Sequence, residues 1–228
     1  MNILALDTSS KNATAAVVSE QTLLGEFTVC NPNTHSQILL PMVDQMLKNA
    51  GLCISDIDVF CTAIGPGSFT GLRIGMATAK AFALAAGKPI IGVSSLLALA
   101  ANVAFTDKVV CPMLDARRGD VYNALYQNGR IIAKERALSV SDLLLELKGR
   151  DTIFLGDGAL AFQTEILEKM GEHAQFAPPG FLMARASSLA DIALKRAKAG
   201  AFDNPDTLAP IYLRVSQAER EYESKHAK

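Results

Sequence analysis

Residues 3–29 read ILALDTSSKNATAAVVSEQTLLGEFTV and contain three apolar runs, separated by turns that are polar or contain glycine. We predict one β-strand in each run, over residues 3–6, 13–18 and 23–29. The first run ends at Asp7, so the first predicted strand ends on a carboxylate.

Helices and strands alternate after these three strands. A helix is predicted over residues 34–50, and Thr34-x-x-Gln37 at its start matches a capping box, in which each side chain satisfies the other's free backbone N–H. A strand over 59–64, a helix over 70–86, a strand over 89–93 and a helix over 95–104 follow. The first half of the chain therefore has the order β-β-β-α-β-α-β-α.

The second half repeats this order of elements. Strands are predicted over 109–114, 121–126, 130–137, 152–155 and 175–177, and helices over 141–148, 160–170 and 186–199. Asp115 ends the first strand of this half, as Asp7 does in the first half. A single mixed α/β sheet with long connections is the alternative arrangement.

Two such halves facing each other describe an α/β protein with two RNase H-like domains, as in actin, sugar kinases and Hsp70. In that architecture a nucleotide binds in the cleft between the domains, although the order of elements predicts a fold and not an activity. We expect an N-terminal domain over residues 1–105 and a C-terminal domain over 106–228, the latter ending in a charged helix.

The composition excludes several classes of protein. Of the 228 residues, 50% are hydrophobic and 20% are charged, and 22 Lys+Arg against 23 Asp+Glu give a net charge of −1. These values exclude intrinsic disorder and argue against binding of nucleic acid by a basic face alone. The four cysteines form no C-x-x-C pair, so neither a disulfide framework nor a zinc site is indicated.

The chain carries no sign of a targeting or membrane segment. Its first residues lack the basic region of a signal peptide. Residues 89–106 are uncharged but contain Pro89 and Gly92, which favours a buried strand turning into a helix over a membrane span. We expect a soluble, cytoplasmic protein that does not associate with membranes.

Two polar turns are candidate phosphate or nucleotide contacts. Asp7, Thr8 and Ser9 close the first strand, where a carboxylate and hydroxyls could meet phosphate or hydrated Mg²⁺. Arg117 and Arg118 follow the first strand of the second half and could hold a phosphate group. Alternatively, the first turn bonds its own backbone and the arginines pair with neighbouring aspartates.

The most unusual segment is GPGSFTG, residues 65–71, which joins a strand to a helix. It matches neither the Walker A loop nor the dinucleotide-binding glycine pattern. The helix after it carries small residues at every fourth position, namely Gly71, Gly75, Ala79, Ala83 and Gly87. Such a stripe indicates close packing, either against the chain's own sheet or against a helix of a partner.

Catalytic constellations are absent from the sequence. His35, His173 and His226 show no metal-ligand spacing, and no nucleophile elbow occurs. We predict no metal site, no cofactor and no catalytic residue.

Five segments together resemble the bacterial TsaB (YeaZ) family, and the resemblance runs from end to end. They are Asp7-Thr8-Ser9, His35-Ser36 with Leu39-Leu40-Pro41, GPGSFTGLRIG at 65–75, Asp115-Ala116-Arg117-Arg118-Gly119 and Tyr212-Leu213-Arg214. The resemblance implies an actin-like fold and a role in forming N6-threonylcarbamoyladenosine on tRNA. It implies a non-catalytic scaffold and activating subunit that pairs with the paralogue TsaD, is joined by the ATPase TsaE and meets tRNA only through the complex.

The resemblance also accounts for the lack of a metal site. In the catalytic paralogue, V-N-H-x-x-G-H follows the strand that resembles residues 89–93, and its two histidines bind the metal. Ser95 and Leu99 stand at those two positions here, and neither can replace imidazole as a ligand. The alternatives are a stand-alone ATPase or small-molecule kinase, for which residues 156–158 are the second half's only phosphate-loop candidate, and an obligate homodimer with another binding role.

Within this family comparison we expect the helices over 34–50 and 70–86 to form the partner face. They would meet the equivalent pair of TsaD as a four-helix bundle, and the same face would support a homodimer of the free protein. The predicted interface residues are His35, Ile38, Leu39, Met42, Met46, Phe69, Leu72, Arg73, Gly75, Met76 and Ala79.

Overall fold

The computed structural model describes residues 1–30 and 34–214 and contains two five-stranded sheets. The strands are β1 (Ile3–Asp7), β2 (Asn12–Val18), β3 (Leu23–Cys30), β4 (Val59–Gly65), β5 (Ile90–Ser94), β6 (Val109–Arg117), β7 (Asp120–Gln127), β8 (Arg130–Ser139), β9 (Thr152–Leu155) and β10 (Ala174–Phe176). The helices are α1 (His35–Asn49), α2 (Phe69–Ala86), α3 (Ser95–Ala101), α4 (Val140–Glu146), α5 (Asp157–Ala161), α6 (Gln163–Met170), α7 (Pro179–Leu182) and α8 (Ala186–Lys198).

The two sheets have the same topology. The first has the order β3-β2-β1-β4-β5, with β1–β2 and β2–β3 antiparallel and β1–β4 and β4–β5 parallel. The second has the order β8-β7-β6-β9-β10 with the same directions at the equivalent positions. The predicted repeat and the α/β class with two RNase H-like units are confirmed, and the single-sheet alternative is wrong.

Three local predictions differ from the structure. The helix predicted over 160–170 is two helices, α5 and α6, which meet at Phe162 with a backbone φ of −114°. The helix predicted over 95–104 ends at Ala101. Thr34 is the N-cap of α1 but its side chain makes no capping bond, because its hydroxyl lies 3.2 Å from the Ser36 hydroxyl instead.

Helices α1 and α2 cover one face of the first sheet. Leu4 and Leu6 of β1 pack there against Leu39 and Met46 of α1 and Ala79 of α2. A core of this kind buries the apolar stripe of each helix and leaves the opposite side of each helix at the surface.

Helices α3 and α8 each pack against the sheet of the other half. The small face of α8, including Ala190 and Ala193, lies against Ile3 and Ala5 on the second face of the first sheet. Leu96 and Leu99 of α3 lie in the core of the second sheet. The predicted division at residue 105 separates the strands but not the helices, because α8 completes the first core. The predicted charged C-terminal helix lies outside the described residues.

Buried polar groups of β2 and β3 fix the start of α8. Glu26 accepts hydrogen bonds from the Arg185 guanidinium and from the backbone N–H and hydroxyl of Ser187, the latter two at 2.9 and 2.7 Å. The Thr14 hydroxyl accepts from the Ala186 N–H at 3.2 Å, and the Asn12 amide donates to the Ala184 carbonyl at 2.9 Å. These bonds satisfy N–H groups that a helix start leaves without internal partners.

After α8 the chain returns along the first sheet. The Asp203 N–H donates to the Ile90 carbonyl at 2.9 Å, and the Ile211 N–H donates to the Ile64 carbonyl at 2.7 Å. We call residues 203–214 the C-terminal strap.

No helix within the described part of the chain is long and apolar enough to cross a membrane.

Candidate site in the cleft between the sheets

A cavity of about 430 Å³ lies where the carboxyl ends of β1 and β6 face each other. Its walls are residues 9–11 after β1, residues 67–70 around the start of α2, residues 114–117 at the end of β6, and Tyr122, Asp157 and Arg214. The sequence-predicted turns of both halves therefore meet at one place, which is the position expected for a cleft between two RNase H-like units.

Asp7 is buried beside this cavity, with 1% of its surface exposed. One carboxylate oxygen accepts the Ser9 N–H at 2.7 Å, and the other has no protein partner. Burial raises the pKa of Asp7, and the hydrogen bonds from Ser9 oppose that shift. The predicted alternative in which this turn bonds its own backbone therefore holds for the carboxylate oxygen that accepts the Ser9 N–H. The second oxygen makes no such bond.

Asp157 is a second buried carboxylate at the cleft. In the sequence it stands out only as part of the phosphate-loop candidate at residues 156–158. Its Oδ1 accepts the Asp115 N–H at 3.1 Å, and burial raises its pKa while that bond and the Lys11 charge oppose the shift. The negative charge of Asp157 also raises the pKa of Asp7. Asp157 follows β9, which pairs in parallel with β6, so the carboxyl ends of both strands lie at the same edge of the sheet. Knowledge of this strand order would have predicted Asp157 at the cleft.

The GPGSFTG segment packs on the Asp7 turn of the same chain. A methyl group at Gly67 would overlap the Ser9 carbonyl oxygen, and one at Gly71 would overlap the Thr8 carbonyl oxygen. The Ser68 N–H donates to the Ser9 carbonyl at 2.7 Å, and the Thr8 hydroxyl donates to the Gly71 carbonyl at 2.7 Å. The chain's own first turn therefore packs on residues 67–71, while residues 67–70 also line the cavity.

The small-residue stripe of α2 likewise faces its own sheet. A Cβ at Gly75 would lie 2.6 Å from the Thr8 hydroxyl oxygen, and Ala79 and Ala83 are buried in the core beneath α1 and α2. The alternative in which Gly75 contacts a helix of a partner is wrong, because Thr8 already fills the space beside it.

The arginine turn adopts the left-handed backbone conformation at three successive residues. The φ values of Arg117, Arg118 and Gly119 are 66°, 60° and 83°. The Arg117 N–H donates to Asp115 Oδ1 at 2.8 Å, and its guanidinium lies 3.4 Å from Asp115 Oδ2. Arg117 therefore pairs with the neighbouring aspartate, while the side chain of Arg118 is exposed.

Phe69 and Arg73, two predicted partner contacts, are engaged with the C-terminal strap. The rings of Phe69 and Tyr212 stack with centroids 3.9 Å apart and planes 9° apart. The Arg73 guanidinium lies 4.6 Å from the Phe69 ring centroid, and its Nε donates to the Tyr212 hydroxyl at 3.1 Å.

Most of the other predicted interface residues are inside the protein. Their side chains pack in this chain's own core, so they cannot form a partner face in this conformation; they are Leu39, Met42, Met46, Leu72, Gly75, Met76 and Ala79. His35 Nε2 lies 3.0 Å from the Ser10 carbonyl oxygen, and Ile38 is half-buried against the same core. The periodic apolar stripes identified the core side of both helices, not the side available to a partner.

Ser95 and Leu99 lie at the start of α3 and are 2% and 0% exposed. A Cβ at Gly156 would lie 2.8 Å from Leu99 Cδ2, so Leu99 fills the space against the β9–α5 junction. Within residues 1–30 and 34–214, no group of three His, Cys, Asp or Glu side chains could hold a metal ion.

The repeated sheets and the cleft between them define a two-domain protein of the actin-like type, in which the loop before α2 packs on the turn after β1. The family model for TsaD, tRNA N6-adenosine threonylcarbamoyltransferase, matches residues 30–222. The tRNA threonylcarbamoyladenosine biosynthesis protein TsaB of Bacillus subtilis is 33% identical over 97% of this chain and 98% of that protein. TsaB of Escherichia coli is 40% identical over 56% of this chain and 55% of its own length. The chain belongs to the TsaB family.

Solved structures agree with this assignment. YeaZ from Pseudomonas aeruginosa superposes with a TM-score of 0.78 at 29% identity, covering 93% of this chain and 99% of that one. The activator of 2-hydroxyisocaproyl-CoA dehydratase from Clostridium difficile, solved with bound ADPNP, has a TM-score of 0.56 at 12% identity over 88% of this chain and 97% of that one. The second likeness concerns the fold alone.

Proposed function

We propose that this chain is a scaffold and activating subunit for threonylcarbamoyladenosine formation on tRNA, working with a TsaD-like transferase. The observation that carries the proposal is the match to Bacillus subtilis TsaB over nearly the full length of both chains. The match of the TsaD model over residues 30–222 supports a paralogue of similar architecture as the partner.

Two features of the site support a non-catalytic role. Ser95 and Leu99 offer no imidazole at the positions where the catalytic paralogue carries metal-binding histidines. The glycines of the GPGSFTG segment are accounted for by packing on the Asp7 turn, with Thr8 and Ser9 bonded to residues of that segment. We propose that the chain needs no metal or other cofactor of its own.

We place the partner face on the outer side of α1 and α2. Leu40 of α1 and Leu84 of α2 are 51% and 65% exposed, and Ala77 and Ala81 are exposed on the same helix as Leu84. Beside them a groove of about 450 Å³ is lined mostly by apolar residues, including Leu47, Leu52 and Phe82. Small and apolar residues on two adjacent helices suit close packing against a second helix pair, which gives a four-helix bundle.

The same face would accept a second copy of this chain when the transferase is absent, because a self-complementary apolar patch favours a two-fold dimer. A TsaE-like ATPase would join the complex, and tRNA would be bound by the complex rather than by this chain alone. The net charge of −1 supports that last point. The complex would work in the cytoplasm.

Reconstitution tests the proposal. Purified chain, its cognate TsaD-like paralogue and a TsaE-like ATPase, supplied with ATP, tRNA and a threonylcarbamoyl donor, should give modified tRNA. Omitting the chain should abolish most of the product, and the chain without the paralogue should give none. Steady ATP turnover by the pure chain would instead favour the stand-alone ATPase or kinase alternative. Modification at an undiminished rate without the chain would refute the proposal.

A further inference from the structure

The C-terminal strap binds both sheets, although it follows α8, the last helix of the described residues. Its first part forms an edge of the first sheet, where Asp203 bridges to Ile90 and its carboxylate accepts the Gly92 N–H at 2.7 Å. Arg196 of α8 donates to Asp203 at 3.1 Å and to the Gly92 carbonyl at 2.7 Å, which fixes the strap's beginning.

The middle of the strap is fastened to the start of α2. The Ile211 N–H bonds to the Ile64 carbonyl at 2.7 Å, and a Cβ at Gly65 would lie 2.5 Å from the Ile211 carbonyl oxygen. Tyr212 then stacks on Phe69 and accepts a hydrogen bond from Arg73. Up to residue 212 the strap is thus attached to the first sheet and to α2.

Arg214 crosses to the second sheet. Its guanidinium forms an ion pair with Asp120, the first residue of β7, and donates to the Ala116 carbonyl at 3.4 Å. The two charged side chains are 28% and 22% exposed and Arg214 lines the cleft cavity, so this pair is screened by water less than a surface ion pair.

We propose that Arg214 is a clasp that sets the width of the cleft between the two sheets. The strap holds the guanidinium on the first sheet, and the guanidinium holds the β6–β7 turn of the second. Release of the pair would let the second sheet and its turn swing away from α2, opening the cavity between Ser68 and Asp115. Arg214 is in this sense a positioning residue, because it acts through the turn that it binds.

Distance measurements between two spin labels test the clasp in the full chain. Exposed Cys30 and Cys53 are replaced by serine, and labels are placed at Gln37→Cys on α1 and Leu145→Cys on α4, both exposed positions on opposite sides of the cleft. We expect Arg214→Gln and Asp120→Asn each to broaden the distance distribution and shift its mean by more than about 2 Å, the scale of a domain rearrangement. Arg214→Lys should retain most of the original distribution, and the charge-reversed pair Arg214→Asp with Asp120→Arg should restore part of it.

A matched control separates the clasp from a general loss of an ion pair. Glu146→Gln removes the Arg136–Glu146 ion pair, which is 33% and 38% exposed and lies within the second half alone, and keeps the bond from Arg136 to Asn123. It should leave the distance unchanged. Circular dichroism identifies any variant that fails to fold. If Arg214→Gln fails to fold, the distance distribution of Asp120→Asn tests the proposal instead. An unchanged distribution in folded Arg214→Gln or Asp120→Asn, or an equal shift in Glu146→Gln, overturns the proposal.

Discussion

At the scale of single residues, the glycines of residues 65–75 are explained by contact with the chain's own first turn. Glycine within a helix costs about 1 kcal/mol relative to alanine, so each helical glycine needs a compensating contact. At Gly71 the contact is with the Thr8 backbone, and at Gly75 it is with the Thr8 side chain. The glycines of this segment are therefore required by the contact between the turn after β1 and the start of α2.

Gly71→Ala should destabilise the protein in spite of its better helix propensity. The added methyl group would overlap the Thr8 carbonyl, so the turn or the helix must shift, at a cost of about 2–3 kcal/mol or more. Gly180→Ala is the matched control, because no atom lies within 4 Å of its Cβ position. Urea denaturation measures both, and equal midpoints for the two variants would contradict the packing described here.

The raised pKa of Asp7 predicts how the stability of the protein depends on pH. Its folded pKa is raised above the reference value of 3.8, so the folded state binds the proton more tightly than the unfolded chain. This group therefore stabilises the fold least once pH has risen through the raised folded pKa. Asp7→Asn does not titrate, and its stability relative to the parent protein should increase as pH rises from below 3.8 toward neutrality.

Chemical denaturation at several pH values measures the difference in stability between Asp7→Asn and the parent protein. A stability difference that does not change with pH would contradict the raised pKa of Asp7. Because Asp7 has no catalytic role in the proposed function, Asp7→Asn should also retain modification activity in the reconstituted complex. A loss of several orders of magnitude in a folded, assembled variant would mean that the cleft is catalytic.

At the scale of secondary structure, the order of strands and helices could be predicted because each element carries its own period of apolar residues. The period shows which side of a helix is buried but not which sheet it is buried against. For this reason the exchange of α3 and α8 between the halves was missed, and seven core residues were assigned to a partner. The α8 anchor was also missed, because Glu26 and Arg185 are separated by 159 positions in the sequence.

The anchor of α8 gives a prediction for Glu26→Ala. The side chain of Glu26 is 9% exposed and accepts bonds from Arg185 and Ser187, so its removal leaves a poorly solvated arginine and an unsatisfied helix start. We expect a loss of about 3 kcal/mol of unfolding free energy. Asp191→Ala, which removes an exposed pair with Lys195 on the same helix, should cost less than about 1 kcal/mol. Similar losses in the two variants would show that Glu26 does not anchor α8.

At the scale of the whole molecule, the exchange of helices makes the two halves depend on each other. A fragment of residues 1–105 lacks α8, and the apolar face formed by Ile3, Ala5 and Val59 would be open to water. We expect this fragment to lack cooperative thermal unfolding and to aggregate. Adding residues 184–214 after a flexible linker should restore a cooperative transition, measured by circular dichroism. A fragment of residues 1–105 that folds cooperatively without α8 would contradict this dependence.

We propose that the chain acts by docking the outer side of α1 and α2 on a TsaD-like transferase. The most direct measurement is calorimetric titration of that partner with Leu84→Glu and with Leu145→Glu, since these leucines are 65% and 71% exposed on different helices. Both variants should fold. Leu84→Glu should bind at least about 30-fold more weakly, because it places a charge in an apolar interface, whereas Leu145→Glu should bind like the parent protein. Unchanged binding of Leu84→Glu, or equal weakening of both variants, would contradict the claim.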